Sequence, residues 1–314
     1  MQNNDISDFY KDKSVLVTGG AGFIGSQLCR RLSAYGSRVT SISRSPQIIH
    51  NDSAITCRQV DLADAAQTQA VFKDQAPDIV FHLASHVVGK RDPEVVETTF
   101  SSNLYSSVNL LSASLDAGVE KVVLTGSLEE PTPDNQWPVP SSPYAAAKLA
   151  AGNYGRMFNA LYGLPVVNLR VFMVYGPGQR DLNKLVPYVI TQLLKGKLPN
   201  LSSGTRKVDW VFVEDVVDGY IRSGMTQGID GQTFDIGSGE LYTVQEVVNE
   251  IFGLIGEPNK PNFGSLEDRA MEQLRVADVA TTQATLGWHP ETSIAHGLIK
   301  TIEWYRTLLS KKTT

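Results

Sequence analysis

The chain has 314 residues, is 42% hydrophobic and 19% charged, and carries a formal net charge of −5 at pH 7. That length and composition allow about two domains with a large buried core, which excludes wholesale disorder, and the acidic balance offers no basic field to nucleic acid or to an anionic membrane surface. The two cysteines, Cys29 and Cys57, lack CxxC or metal-ligand spacing, so reduced thiols are expected in place of a disulfide scaffold or a zinc site.

The opening segment, MQNNDISDFYKDK, is polar. It lacks the apolar stretch of a signal peptide, and no span of about 20 apolar residues follows, so a soluble cytoplasmic protein is expected. SVLVTG (14–19) reads as a buried strand and Gly22 to Tyr35 as a helix. Strands RVTSIS (38–43) and ITCRQV (55–60) follow, then a helix near 64–75 and strand DIVFHLA (78–84). A helical stretch covers about 93–116, then come strand KVVLTG (121–126), a helix over about 143–162 and strand PVVNLRVF (165–172). Alternating strand and helix implies parallel pairing with right-handed crossovers, and near-continuous apolar strands imply a sheet covered on both faces. The predicted class is therefore a doubly wound α/β fold. After residue 172 a Gly/Pro-punctuated loop, MVYGPGQRDLNK, leads to a helix in KLVPYVITQLLKGK. Strands are expected in VDWVFV (208–213) and QTFDIG, and an amphipathic helix in AHGLIKTIEWYRTLL. Residues 1–172 with about 209–248 are assigned to a dinucleotide-binding domain. About 173–208 and 249–314 are assigned to a smaller α/β substrate lobe.

TGGAGFIG (18–25) lies between the first strand and the first helix, with Gly19, Gly22 and Gly25 in GxxGxxG spacing. Such glycines permit a tight turn, close approach of backbone to pyrophosphate and close helix packing, while the helix N-terminus offers N–H groups to the phosphates. The second strand ends Ser43-Arg44-Ser45 without a carboxylate. A hydroxyl and a guanidinium suit a ribose 2′-phosphate, which favours NADP. NAD is the alternative, with Arg44 then a solvated loop residue. Asp61 ends the third strand as an acceptor for the adenine amino group, or as a turn residue capping the next helix.

Ser142 and Pro143 suit the N-cap and first position of a helix on which Tyr144 and Lys148 stand four residues apart. One turn puts both on one face, where an ammonium favours the phenolate and lowers the pKa of a tyrosine that exchanges protons with an alcohol. Ser127, at the end of strand KVVLTG, offers a hydroxyl to the reacting oxygen at the carboxyl edge of the sheet. Thr125 competes for that role.

TGGAGFIG, HLAS (82–85), Asn103, Ser127, YAAAK (144–148), LRVFMVYGPGQR (169–180), WVFVEDV (210–216) and LGWHP (286–290) stand in this order. In that order the chain resembles, over nearly its whole length, an extended short-chain dehydrogenase/reductase of the nucleotide-sugar epimerase/dehydratase/reductase family. The resemblance implies a Rossmann domain with a small C-terminal substrate lobe, a homodimer, and catalysis by Ser127, Tyr144 and Lys148. It implies that Phe23, Ile24, Leu62, Leu83, Ala84, Ser85 and Asn103 join the glycines, Ser43, Arg44 and Asp61 around the cofactor.

Departures narrow the reaction. The family's 4,6-dehydratases follow the catalytic Ser/Thr with an acidic or polar residue and then Glu. Here the run is Ser127-Leu128-Glu129-Glu130. Glu129 matches, and the bland alternative for Glu129 and Glu130 is a solvated loop. Leu128 cannot donate a proton, which disfavours dehydration. Met173 replaces an asparagine that helps hold the diphosphate, and Val208 replaces an arginine. Arg206, two residues earlier on the same strand face, is the expected substitute. Lys184 with Leu185, Arg269 and Arg275 are further candidates at the substrate. No HxxxH or HExxH pattern points to a metal; His82 is read as cofactor-side packing, Trp288 as core, and Thr243 with Glu246 as a capping box. The expected function is NADP-dependent oxidoreduction at C4 of a nucleoside-diphosphate sugar, with reduction of a 4-keto-6-deoxyhexose preferred. The alternative is a 4-epimerase with tightly held NAD(P); a 4,6-dehydratase or a catalytically silent nucleotide-sugar binder ranks below both.

Overall fold

The computed structural model describes residues 3–45, 54–89, 91–131, 139–268 and 274–311. Two compact units emerge: Met1–Val171 with Val217–Asp235 and Ala280–Trp288, and Phe172–Val216 with Ile236–Val279 and His289–Thr314.

The first unit opens with helix α1 (Asn3–Tyr10) and the strands β1 (Ser14–Thr18), β2 (Arg38–Ser43), β3 (Ile55–Gln59), β4 (Ile79–His82), β5 (Lys121–Ser127) and β6 (Val166–Val171). With β9 (Thr233–Ile236) these form a seven-stranded sheet in the order β3-β2-β1-β4-β5-β6-β9. The pairs from β3 through β6 are parallel. The apolar runs are why: Val15, Leu16 and Val17 of β1, and Ile79, Val80 and Phe81 of β4, are all buried, as strands covered on both faces must be. The strand order reverses between β1 and β4, the switch point at which doubly wound sheets bind ligands.

Helices α2 (Phe23–Ala34), α3 (Ala65–Gln75) and α6 (Pro143–Tyr162) match their sequence patterns closely. Ser142 caps α6, its Oγ accepting from the Ala145 amide at 3.1 Å. The expected helix over 93–116 is interrupted. A 3₁₀ turn (Pro93–Val95) and α4 (Val96–Thr99) lead through a π-helical turn (Phe100–Tyr105) into α5 (Ser106–Ala117). The π turn carries the buried Asn103; an inserted residue re-aims side chains in this way.

The second unit corrects the expected boundaries. PVVNLRVF holds the single expected strand, β6, and beyond it the chain passes to β7 (Met173–Tyr175), which lies in a separate three-stranded sheet, β10-β8-β7, with β8 (Lys207–Phe212) and β10 (Leu241–Thr243). The segment expected to return to the larger sheet, 209–248, therefore begins in the smaller one. Only Val217–Asp235, with most of α8 (Val213–Met225) and β9, rejoins the first unit. Packing is the reason: Val208, Trp210 and Phe212 share a core with α7 (Leu185–Leu194), α9 (Val244–Ile255) and α11 (Ile294–Ser310). Trp288, after α10 (Val279–Leu286), is fully buried in the first unit. Thr243 and Glu246 form the reciprocal capping box of α9. Among the described residues no helix is long and apolar enough to cross a membrane.

Candidate active site

The β1–α2 turn is shaped for a pyrophosphate. Gly19 has φ +67°, and a Cβ there would lie 2.8 Å from the Ala84 nitrogen. A Cβ on Gly25 would overlap the Gly19 carbonyl. Gly22 is the N-cap of α2 and no side chain caps that helix, so the amides opening it at Phe23, Ile24 and Gly25 are offered to an anion. Gly20, which the GxxGxxG spacing passes over, is equally confined: a Cβ would run into the Ser41 hydroxyl and reach 3.0 Å from Cys29 Sγ. These residues fit a dinucleotide.

At the C-terminal end of β2, on the sheet edge that carries the phosphate turn, Arg44, Gln59, Asp61 and Gln67 line one open pocket. The Arg44 Nη1 donates to Ser102 Oγ at 3.4 Å, and its carbonyl accepts from Gln59 Nε2 at 3.1 Å. Ser43 Oγ donates to the Ser45 carbonyl at 2.6 Å. Asp61 does not cap the next helix. It accepts from the Ala63 amide at 3.0 Å within its own turn, and Asp64 takes the capping role by accepting from the Gln67 amide. Leu62 is buried in the core beneath.

A hydrogen-bonded strut crosses the switch point. The Ala84 amide donates to Thr18 Oγ1 at 3.1 Å, Thr18 Oγ1 lies 2.8 Å from His82 Nδ1, and His82 Nε2 lies 2.9 Å from Ser107 Oγ. Ser107 donates its own proton to the Asn103 carbonyl at 2.6 Å. The hydroxyl must then accept from His82 Nε2–H, and Nδ1 accepts from Thr18, which assigns a neutral tautomer from the network. Burial pushes the His82 imidazole down to about 3, with Lys148 reinforcing the shift. His82 is therefore a structural link, not a base. The Asn103 side chain holds the loop after Leu83: Oδ1 accepts from Ser85 Oγ at 3.1 Å and the His86 amide at 2.6 Å, and Nδ2 donates to the His86 carbonyl at 3.1 Å.

Ser127, Tyr144 and Lys148 are all buried within the first unit. The hydroxyls of Ser127 and Ser85 both hydrogen-bond the Tyr144 phenol. Lys148 Nζ lies 5.8 Å from the Tyr144 ring centroid and donates to the Thr125 carbonyl at 2.9 Å. Thr125 Oγ1 is committed elsewhere, to the His82 carbonyl at 2.6 Å and Tyr220 Oη at 2.7 Å, which leaves Ser127 as the hydroxyl beside the phenol. The expected depression of the tyrosine by Lys148 is overturned. Burial pushes the Tyr144 phenol up to about 12, against the Ser127 and Ser85 hydrogen bonds and with help from Glu129 and Glu130. Burial also pushes the Lys148 ammonium down to about 8, which Glu130 opposes. Desolvation outweighs pairing because both groups sit away from water.

Glu129 is half-buried: its amide donates to Ser127 Oγ at 3.2 Å, and its Oε2 lies 3.5 Å from Ser142 Oγ. Leu128 is buried, and its amide donates to the Val171 carbonyl. Glu130, for which a solvated loop was one expectation, is buried instead.

The other substrate candidates lie in the second unit. Met173 stands in β7, Lys184 immediately precedes α7, and Leu185 opens that helix. Arg206 is half-buried just before β8, its carbonyl accepting from the Val244 amide at 2.9 Å. Val208 is part of the unit's apolar core, so an arginine there would desolvate a charge. Arg275 is half-buried. Arg269 lies outside the described residues. Sequence reading missed Asp209, whose buried carboxylate accepts from the amides of Ser238, Gly239 and Ala277 at 2.6 to 3.0 Å. The side-by-side Asp-Trp in VDWVFV was the available signal.

Residues 15–237 match a family described as the NAD dependent epimerase/dehydratase family. A UDP-glucose 4-epimerase of Mycolicibacterium smegmatis is 33% identical over 93% of this chain and 98% of its own length. A dTDP-glucose 4,6-dehydratase of Haemophilus influenzae is 30% identical over 93% of this chain and 97% of its own. A solved UDP-glucose 4-epimerase of Thermus thermophilus, in complex with NAD, superposes with a TM-score of 0.81 at 28% identity, covering 93% of this chain and 98% of the other.

Proposed function

The chain belongs to the NAD dependent epimerase/dehydratase family, and from that premise we propose that it is a 4-epimerase of a nucleoside-diphosphate sugar. One observation carries the reading: the Tyr144 phenol has two hydroxyl partners, Ser127 and Ser85, with Lys148 one helical turn along. A nicotinamide dinucleotide, when bound, supplies the hydride acceptor for the sugar's C4 and the donor that restores it. In its phenolate form, which burial disfavours and a nearby ammonium favours, Tyr144 Oη takes the proton of the C4 hydroxyl as C4 is oxidised, and as the neutral phenol it returns that proton when C4 is reduced. Ser127, whose Oγ accepts from the Glu129 amide and keeps its own proton free, donates to that phenolate oxygen. Lys148, an ammonium below about pH 8, adds positive charge to the same buried site. Dehydration would need a further acid at position 128, where Leu128 is buried and apolar. Arg206, Lys184 and Arg275 are the groups we assign to the diphosphate, and Arg206→Ala should raise KM for the sugar nucleotide about 10- to 100-fold, the weight of one charge-assisted contact.

A second reading, reduction of a 4-keto-6-deoxy sugar nucleotide by NADPH, is favoured by the end of β2, where Arg44 stands and no carboxylate does, in the pocket that Asp61 also lines. Product analysis decides between them. An epimerase yields the C4-inverted sugar from UDP-glucose or dTDP-glucose with no net change in nicotinamide absorbance, and denatured protein releases oxidised dinucleotide. Stoichiometric NADPH consumption with a 4-keto sugar, and no epimerisation, overturns the first reading for the second. For the cofactor itself, Ser43→Asp with Arg44→Ala should weaken NADPH and improve NADH binding; an unchanged ratio removes Arg44 from the site.

A further inference from the structure

The turn carrying Ser127 is closed twice by one residue. The Glu130 amide donates to the Ser127 carbonyl at 3.0 Å. Its side chain then folds back, so that Oε1 accepts from the Ser127 amide at 2.7 Å. Only 4% of Glu130 is exposed. Gly126 makes the room: a Cβ there would overlap Glu130 Oε1 and stand 2.8 Å from Asn168 Nδ2.

The first hydrogen bond alone closes such a turn, and a neutral residue would do so without burying a charge. A buried carboxylate is expensive unless compensated. Here Arg170 Nε in β6 lies 3.6 Å from Glu130 Oε2, and Arg170 Nη1 donates to Asp235 in β9 at 2.6 Å. Arg170 thus divides one positive charge between two carboxylates, and Glu130 retains negative charge for its other neighbours. The charged and titratable groups that act with it are Arg170 from β6, Asp235 from β9, Glu129 from its own turn, and Tyr144 and Lys148 from α6. Of these only Arg170 and Lys148 are cationic. Lys148 Nζ donates to the Thr125 carbonyl at 2.9 Å and Glu130 Oε1 accepts from the Ser127 amide at 2.7 Å, so the two charges bracket the same three residues at the end of β5, and the carboxylate raises the proton affinity of the ammonium against the effect of burial.

We propose that Glu130 is a positioning residue of the catalytic set: it fixes the Ser127 backbone so that Oγ meets the Tyr144 phenol, and it is the counter-charge of the Lys148 ammonium. The kinetic arm of its test rests on the function proposed above; the titration arm does not.

The test compares wild type with Glu130→Gln and Glu130→Asp. Lysines are labelled at ¹³Cε and titrated by NMR, with the Lys148 resonance identified by its loss in Lys148→Met. The Lys148 midpoint should be highest in wild type, lower in Glu130→Asp, where the shorter arm withdraws the charge, and lowest in Glu130→Gln. In the same variants kcat should fall roughly tenfold or more, the weight of a hydrogen bond to a charged group, with little change in KM. Coincident midpoints in wild type and the variants overturn the proposal, as does a loss of melting temperature with kcat unchanged, the mark of a merely structural carboxylate. If Glu130→Gln does not fold, Glu130→Asp alone reports the midpoint. If wild type turns over no nucleotide sugar, the function proposed above fails while the titration still decides the role of Glu130.

Discussion

Tyr144 is held as a neutral phenol by burial, and its two hydroxyl partners point to the oxygen as the place where a proton is exchanged. Tyr144→Phe removes that oxygen and leaves the packing of α6 intact. Turnover should fall at least about 10²-fold, the low end for general acid catalysis, with dinucleotide affinity retained in a fluorescence titration. His82 makes a different prediction. The unfolded chain protonates it near its ordinary value of 6.5, whereas burial holds the folded imidazole to about 3. The unfolded state therefore binds the extra proton throughout that window, so stability is full above pH 6.5 and falls as pH drops toward 3. Urea unfolding of His82→Gln at pH 7 and pH 5 should show a smaller loss of stability between the two than wild type shows. An equal loss would mean that other groups govern the acid limb.

At the scale of the elements, the phosphate turn and the helix caps respond differently to small changes. The Gly25→Ala methyl would be driven into the Gly19 carbonyl, which is backbone and cannot swing aside. Dinucleotide binding should weaken by roughly tenfold or more, as when one charge-assisted contact is lost, and calorimetric titration measures it. Thr243→Ala deletes one half of the α9 capping box in the second unit. It should cost about 0.5–2 kcal/mol of stability in chemical denaturation and leave turnover at the wild-type level. The helices of the first unit were legible because their caps and apolar spacing are local: Ser142 and Pro143 open α6, and Gly163 in the left-handed region closes it. The π turn at Phe100–Tyr105 was not, because the inserted residue answers to a distant loop, Ser85 and His86, which Asn103 must reach.

For the whole molecule, exposed apolar side chains gather on two stretches of the first unit: Val96, Phe100 and Tyr105 along α4 to α5, and Tyr154, Leu161 and Tyr162 on α6. Single exposed apolar residues are ordinary, but several on adjoining helices favour an interface, and a homodimer is the assembly we propose for it. Leu161→Glu, at a position 68% exposed, should then halve the mass measured by light scattering while the circular dichroism spectrum stays unchanged. A wild-type chain that scatters as a monomer removes the proposal.

The parallel order of the large sheet, the phosphate turn, the Tyr144–Lys148 spacing and the capping box of α9 all follow from short stretches of sequence, because strand burial, helical spacing and caps are set by neighbours within a few residues. Glu130 and Asp209 could not be read this way. A glutamate in a loop is solvated or buried according to what meets it, and here Arg170 and Asp235 arrive from strands 40 and 105 residues further on. The same holds for VDWVFV, whose alternation suits either sheet. Its place beside β7 and β10 is decided by the apolar faces of α7, α9 and α11. Tertiary structure likewise reversed the expected tyrosine shift, because desolvation depends on how much protein surrounds a group, and no spacing along the chain records that.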